Sequence, residues 1–421
     1  MYQKRQLKNG VRVITAPMRG TKTATVLVLV GTGSKNETKK NNGISHFLEH
    51  MFFKGTKKRP TALDISKEMD RIGGISNAFT GKEVTGFWAK VDNRHLDIAM
   101  DVLSDMIINS KFSPVEIKRE KGTILEEINM YLDTPAMNIF SLFEKLLYSN
   151  QSIGWDTLGT KNNVKNFKRR DFIDYYRNYY TGENTVVVIA GNIKNNDIYK
   201  KTEKYFQAVS KSEHSDKLKS YDKQNKPALK LQYKKTDQSH LCLGVRGYSV
   251  SHKDKYALDI LSVILGGNMS SRLFVKVRER KGLAYAIHTS SENYQEVGYL
   301  VTYAGLNNNF LEEAIKIILR EYKKLTRKEV GEEEIRRAKD YIKGKSLIAL
   351  ESSDAVANFV GHQEIATGKI LTIQEKFAKL EAVTADDLRR VARDIFVNEK
   401  LNLALIGPFK NKKRFENILK F

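Results

Sequence analysis

The two halves of this 421-residue chain repeat each other, and that repeat limits the fold more than any single motif does. RRDFIDYYRNYYTGENTVVVIAG, in which Asp171 and Gly191 lie 20 positions apart, recurs as DDLRRVARDIFVNEKLNLALIG, in which Asp387 and Gly407 are again 20 apart, at an offset of 216. Each copy reads as an amphipathic helix followed by an apolar strand. The same offset carries Gly31, at the end of TATVLVLVG, onto Gly247, at the end of SHLCLGVRG; SPVEIKREK from Ser113 matches GEEEIRRAK from Gly331 at an offset of 218. Each half therefore holds strands and long helices in one order, and the chain exceeds what a single core organises. The expected fold is α+β: two homologous domains, each a mainly antiparallel sheet packed with helices. The boundaries are expected at residues 1–209 and 229–421, with the polar stretch SKSEHSDKLKSYDKQNKP and its flanks, 210–228, as linker.

Hydrophobic residues make up 41% of the chain, enough for two cores, yet no apolar run approaches the roughly 18 residues of a membrane helix. The N-terminal MYQKRQLKNGVRVI is charged where a secretory signal needs its apolar region, which makes a cytoplasmic protein the expectation. The single cysteine, Cys242, rules out an internal disulfide framework and sits in the apolar run HLCLGV, a core position. The formal charge of +23 raises polyanion binding as an alternative function. The lysines are dispersed, however, with no Arg-rich block or aromatic RNA-binding signature, so nucleic acid is not the expected partner, and neither is a membrane.

The stretch from Ile44 reads ISHFLEHMFFKGT. A helix capped by Asn42 or Ser45 and running through Met51 would put His46 and His50, four apart, on one face, with Glu49 alongside. Two imidazoles and one more carboxylate would leave the fourth position of a zinc ion open for water, and a second carboxylate could accept that water's proton. The segment PVEIKREKGTILEEINMYLDTP, opening on Pro114, supplies Glu116, Glu120, Glu126 and Glu127 on a second helix. Glu120 and Glu127, seven apart, share a face beside the apolar stripe of Ile117, Ile124 and Ile128; Glu126 points away. A third segment, GGISNAFTGKEVTGFWAKV, reads as two strands around the turn TGKE.

An H-x-x-E-H motif followed 77 residues later by a helical glutamate resembles the inverted zincins of the pitrilysin and insulin-degrading-enzyme family, which includes mitochondrial processing peptidase. The resemblance implies that His46, His50 and Glu127 bind one zinc ion per chain and that Glu49 is the general base. It implies that Glu120 supports the site, and that Asn77, Ala78 and Phe79 lie on an edge strand to which a peptide substrate adds.

The second half keeps the repeat without these residues. At the repeat's offsets, His46, Glu49 and His50 fall on Ser262, Leu265 and Gly266, and Glu120 and Glu127 on Ala338 and Lys345. It offers instead GGNMSSRLFVKVRERKGLAYAIHTSS, where Arg278 and Tyr285 resemble the family's Arg and Tyr pair, donors suited to an oxyanion. The alternative for these two is a surface arginine and a core tyrosine. Four such domains form a clamshell in the single-chain members, so the resemblance implies a homodimer whose Arg278 and Tyr285 complete the partner's zinc site. The expected function is zinc-dependent hydrolysis of short or unfolded peptides in an enclosed chamber; a non-catalytic scaffold of the same fold is the rival.

Overall fold

The computed structural model describes residues 2–215 and 217–421. The first half runs β1 (Gln3–Gln6), β2 (Arg12–Pro17), β3 (Thr23–Val30), α1 (Ile44–Phe52), α2 (Ala62–Asp70), β4 (Ile75–Thr80), β5 (Thr85–Asp92), α3 (Leu96–Asn109), α4 (Pro114–Asp133), α5 (Pro135–Leu147), α6 (Lys161–Asn166), α7 (Arg169–Tyr179), β6 (Thr185–Gly191) and α8 (Asn195–Phe206). The second runs β7 (Ala228–Tyr233), β8 (Gln238–Arg246), α9 (Lys255–Ser262), β9 (Ala284–Asn293), β10 (Gly298–Asn307), α10 (Leu311–Arg327), α11 (Glu332–Ala349), α12 (Ser353–Thr367), α13 (Ile373–Glu381), α14 (Ala385–Ile395) and β11 (Leu401–Gly407). No helix of the described residues is long and apolar enough to cross a membrane.

The duplication is visible strand for strand. The first sheet has the order β1-β2-β6-β3-β5-β4 and the second β7-β11-β8-β10-β9, the same arrangement with β1 added. In each sheet one pair is parallel, β2 with β6 and β7 with β11, and the remaining pairs are antiparallel. β3, β6 and β11 are central and β-branched or leucine-rich, and their interior residues are buried on both faces. Removing each such Val, Leu or Ile side chain from water contributes about 1.5–3 kcal/mol.

The domain boundaries differ from the sequence expectation. The compact units are residues 1–129, 155–218 and 347–372 for the first, and 130–154, 219–346 and 373–421 for the second. The first sheet is covered by α12, from the second half of the sequence: Ala357 and Val360 pack on Leu27, Leu29, Val186 and Val188. Gly361 allows this close approach, since a Cβ there would come within 2.8 Å of Leu29 Cδ1. The second sheet is covered by α5, from the first half, whose Ile139, Leu142 and Phe143 pack on Cys242, Tyr299, Ala404 and Ile406. Glu144 of α5 also accepts hydrogen bonds from the Tyr294 hydroxyl, at 2.6 Å, and from that of Tyr299, at 3.0 Å. Helices α5 and α12 hold the same place in the repeat, so their reciprocal exchange leaves the sequence pattern unaltered. Of the expected 210–228 linker, residue 216 lies outside the described residues; the others up to 218 belong to the first unit and 219–228 to the second.

Candidate metal centre

All the residues of the H-x-x-E-H motif lie in the first unit. Helix α1 runs from Ile44 to Phe52, and its cap is neither Asn42 nor Ser45. The N-cap is Gly43, in the left-handed region at φ +100, where a Cβ would meet the Leu158 carbonyl oxygen at 2.7 Å. Ser45 lies inside the first turn and its hydroxyl bonds the Tyr175 hydroxyl at 2.8 Å. The apolar face of α1 carries Ile44, Phe47, Leu48, Met51 and Phe52 into the core, which turns His46, Glu49 and His50 the other way. Helix α4 begins at Pro114 and buries Ile117, Ile124 and Ile128, so Glu120 and Glu127 face α1 while Glu126 stays exposed.

Three ligand atoms converge. His46 Nε2 and His50 Nε2 are 3.2 Å apart, and Glu127 Oε2 lies 3.5 Å from the first and 3.6 Å from the second. A tetrahedral zinc ion with bonds of about 2.0–2.1 Å holds its ligand atoms about 3.3–3.4 Å apart, so this triangle has the edges such an ion requires. His46, His50 and Glu127 also form a His/Glu group with ligand atoms all within 4.8 Å of one another. The surroundings of His50 fit as well: Nδ1 faces Glu120 Oε1 at 2.8 Å, a carboxylate partner that favours the proton on Nδ1 and leaves the Nε2 lone pair for a metal. Glu120 also accepts from Lys54 Nζ at 2.6 Å. Burial alone would raise the Glu120 carboxyl; the hydrogen bonds from His50 and Lys54 outweigh it and hold the group below its ordinary value. Burial, with the neighbouring His50, drives His46 down to about 3, so its imidazole is neutral and metal-competent at any physiological pH.

Glu49 stands apart from this triangle. Its carboxylate accepts a hydrogen bond from the Thr80 hydroxyl on β4. Burial pushes Glu49 upward, offset in part by Thr80 and His50; Glu127 is raised too, again first by burial. The motif thus splits into two imidazoles that meet a distant carboxylate and one carboxylate that does not join them. Sequence reasoning overlooked Lys54 and Thr80. Neither was findable from helix periodicity, since Lys54 lies just beyond the end of α1 and Thr80 on β4.

Strand β4 is the open edge of the first sheet. The Gly81 N–H bonds the Val84 carbonyl at 2.8 Å, so the alternation of an antiparallel ladder bonds the Phe79–Gly86 and Asn77–Trp88 pairs. That turns the backbone groups of Ser76, Ala78 and Thr80 toward the open edge. The Ala78 N–H is held by Asn77 Oδ1 at 2.8 Å. The Phe79 ring lies over Gly86 and stacks on His362 of α12, with centroids 5.6 Å apart.

In the second unit Arg278 and Tyr285 are neighbours. Arg278 lies in a π-helical segment, Phe274–Glu279, with its guanidinium 4.8 Å from the Phe274 ring centroid and 5.5 Å from that of Tyr285. Tyr285 is 80% exposed, which excludes the core placement. The pairing of β9 with β10 jumps from Ala286–Gly305 to Ala284–Leu306, so Tyr285 is the extra residue of a β-bulge, a device that re-aims a side chain. The positions matching Glu49 and His50 are filled by packing: Leu265 is fully buried, and a Cβ on Gly266 would meet Thr289 Oγ1 at 2.4 Å.

One buried and one half-buried histidine thus meet a glutamate on a twice-used α+β fold whose second copy lacks all three residues, the build of a two-domain chain with one metal centre. Residues 12–161 match the family model described as insulinase (peptidase family M16), and residues 166–342 the one described as the peptidase M16 inactive domain. An uncharacterized zinc protease of Bacillus subtilis is 39% identical over 412 residues, covering 98% of this chain and 99% of that protein. One of Streptomyces coelicolor is 32% identical, covering 97% and 90%. The crystal structure of a protease from Helicobacter pylori superposes with a TM-score of 0.92 at 25% identity, covering 97% of this chain and 100% of that one. The chain belongs to peptidase family M16.

Proposed function

We propose that this protein is a zinc-dependent endopeptidase that hydrolyses short or unfolded peptides, with His46, His50 and Glu127 as zinc ligands. The observation that carries the reading is the triangle of His46 Nε2, His50 Nε2 and Glu127 Oε2, whose 3.2–3.6 Å edges suit a tetrahedral ion. Zinc bound there supplies Lewis acidity toward a carbonyl and lowers the pKa of water toward neutrality. Glu120 fixes the His50 ring, and Lys54 keeps Glu120 in place. Glu49, close to the ligands but outside their triangle, takes the proton of the attacking water and returns it to the leaving amine. Its burial raises its proton affinity, which suits both halves of that task. Cleavage of a quenched peptide library that a chelator abolishes and zinc restores is the expected result; cleavage indifferent to chelator contradicts the reading.

The open edge of β4 is the proposed seat for an extended substrate, held by the main-chain groups of Ser76, Ala78 and Thr80. Ala78→Pro removes the outward N–H, which Asn77 Oδ1 holds here and a substrate carbonyl would take over, at a position where an edge strand tolerates proline. It is expected to raise KM about tenfold, the equivalent of one lost hydrogen bond to substrate, with zinc content unchanged. An unaltered KM would count against strand addition at this edge.

Exposed Tyr285 and half-buried Arg278, side by side, are the proposed oxyanion donors. Both motifs are intact in one chain, which supports a homodimer in which each subunit completes the partner's site. Mixing inactive Glu49→Gln subunits with inactive Arg278→Ala/Tyr285→Ala subunits is then expected to restore activity. Verified mixed dimers that stay inactive would rule out the shared site.

A further inference from the structure

We propose that Glu37 is a positioning residue for the metal-bearing helix, holding α1 by its N-terminus where His46 and His50 meet Glu127. The inference rests on the zinc reading above. Glu37 lies in the polar loop between β3 and α1, and its side chain is fully buried. Its Oε2 accepts from the Gly43 N–H at 2.8 Å and from Asn42 Nδ2 at 2.8 Å, and its Oε1 accepts from the Ser45 N–H at 2.8 Å. The two N–H groups are backbone donors that the start of a helix leaves without partners, and a carboxylate there also complements the helix dipole. The cap position itself provides no side chain, because Gly43 has neither the conformation nor the room for one. The cap is therefore supplied from six residues upstream.

A second tether fixes the same turn. The Ser45 hydroxyl bonds the Tyr175 hydroxyl, which is also bonded to Thr32 Oγ1 at 2.8 Å. Glu37 thus holds the backbone on either side of Ile44 and Tyr175 the side chain of Ser45, immediately before His46. From Ser45 to His50 is little more than one helical turn, so a shift or rotation of this end is transmitted to both imidazoles at once. Glu127, on α4, does not follow. A coordination triangle tolerates such a mismatch poorly, since a functional constellation is held to within about 0.5 Å.

The loop's other attachments separate positioning from general stability. Two residues earlier, buried Lys35 pairs with Glu83 at 2.7 Å, and the N–H groups of Ser34 and Lys35 bond the Gly81 and Lys82 carbonyls. Lys35 therefore ties the loop to the β4–β5 turn, and Glu37 ties it to α1. In Glu37→Gln the amide NH2 must confront at least one N–H donor.

The test is zinc affinity of the full chain by chelator competition, with the visible spectrum of the cobalt-substituted form, in wild type, Glu37→Gln and Lys35→Met. Glu37→Gln is expected to weaken zinc by about tenfold or more, as loss of an outer-shell support does, and to alter the cobalt spectrum. Lys35→Met is expected to lower thermal stability while keeping wild-type zinc affinity and spectrum. Wild-type affinity in Glu37→Gln, or equal weakening in Lys35→Met, would overturn the assignment. If Glu37→Gln does not fold, Tyr175→Phe is measured in the same way: weakened zinc supports the inference and unchanged zinc overturns it. A wild-type protein that takes up no zinc overturns the zinc reading itself, and the inference with it.

Discussion

Glu49→Gln is expected to lower kcat about 10²–10⁴-fold, the range a positioned general base contributes, and to leave zinc bound. The expectation follows from the division inside the motif. Glu49 is held by the Thr80 hydroxyl and stays out of the ligand triangle, so an amide of the same shape keeps that hydrogen bond and loses only the proton-accepting role. KM for a peptide should change little if substrate is held, as proposed, by the β4 edge and not by Glu49. A variant that lost zinc together with activity would make Glu49 a ligand and return the assignment of Glu127 to question.

Glu127→Gln is expected to have the complementary outcome: zinc and turnover disappear together. Among the described residues, its Oε2 is what closes the triangle with the two imidazoles. Glu120→Gln serves as the comparison, seven residues away on the same helix face. Glu120 touches His50 Nδ1 and Lys54 but not the space between the imidazoles, so its loss should weaken zinc about 10–100-fold without abolishing binding. Metal analysis and titration of both variants separate ligand from support. If Glu120→Gln lost the metal and Glu127→Gln kept it, the two roles would be exchanged.

Much of this site was legible in the sequence because its signals are periodic. The i, i+4 histidines of α1, the i, i+7 glutamates of α4 and the isoleucine stripe between them each report a helix face, and a face survives without knowledge of tertiary structure. The repeat likewise revealed two sheets of one order. What stayed hidden depends on contacts between segments far apart in the chain. The exchange of α5 and α12 between the units is silent because the two helices occupy matching places in the repeat. The cap of α1 was misassigned because local capping rules look to the residues beside the helix, whereas the carboxylate comes from Glu37. The place of the Phe79 ring was hidden too: cross-strand Gly86 leaves a space that it fills. Tyr285 becomes exposed through a bulge, and a one-residue slip in register leaves no compositional trace.

Zinc titrated into chelator-stripped wild-type protein, followed calorimetrically beside the double variant His46→Ala/His50→Ala, bears most directly on the reading of His46, His50 and Glu127 as a metal centre. One equivalent bound per chain by the wild type and none by the variant is the expected result. No uptake by the wild type, or the same uptake by both proteins, would contradict it.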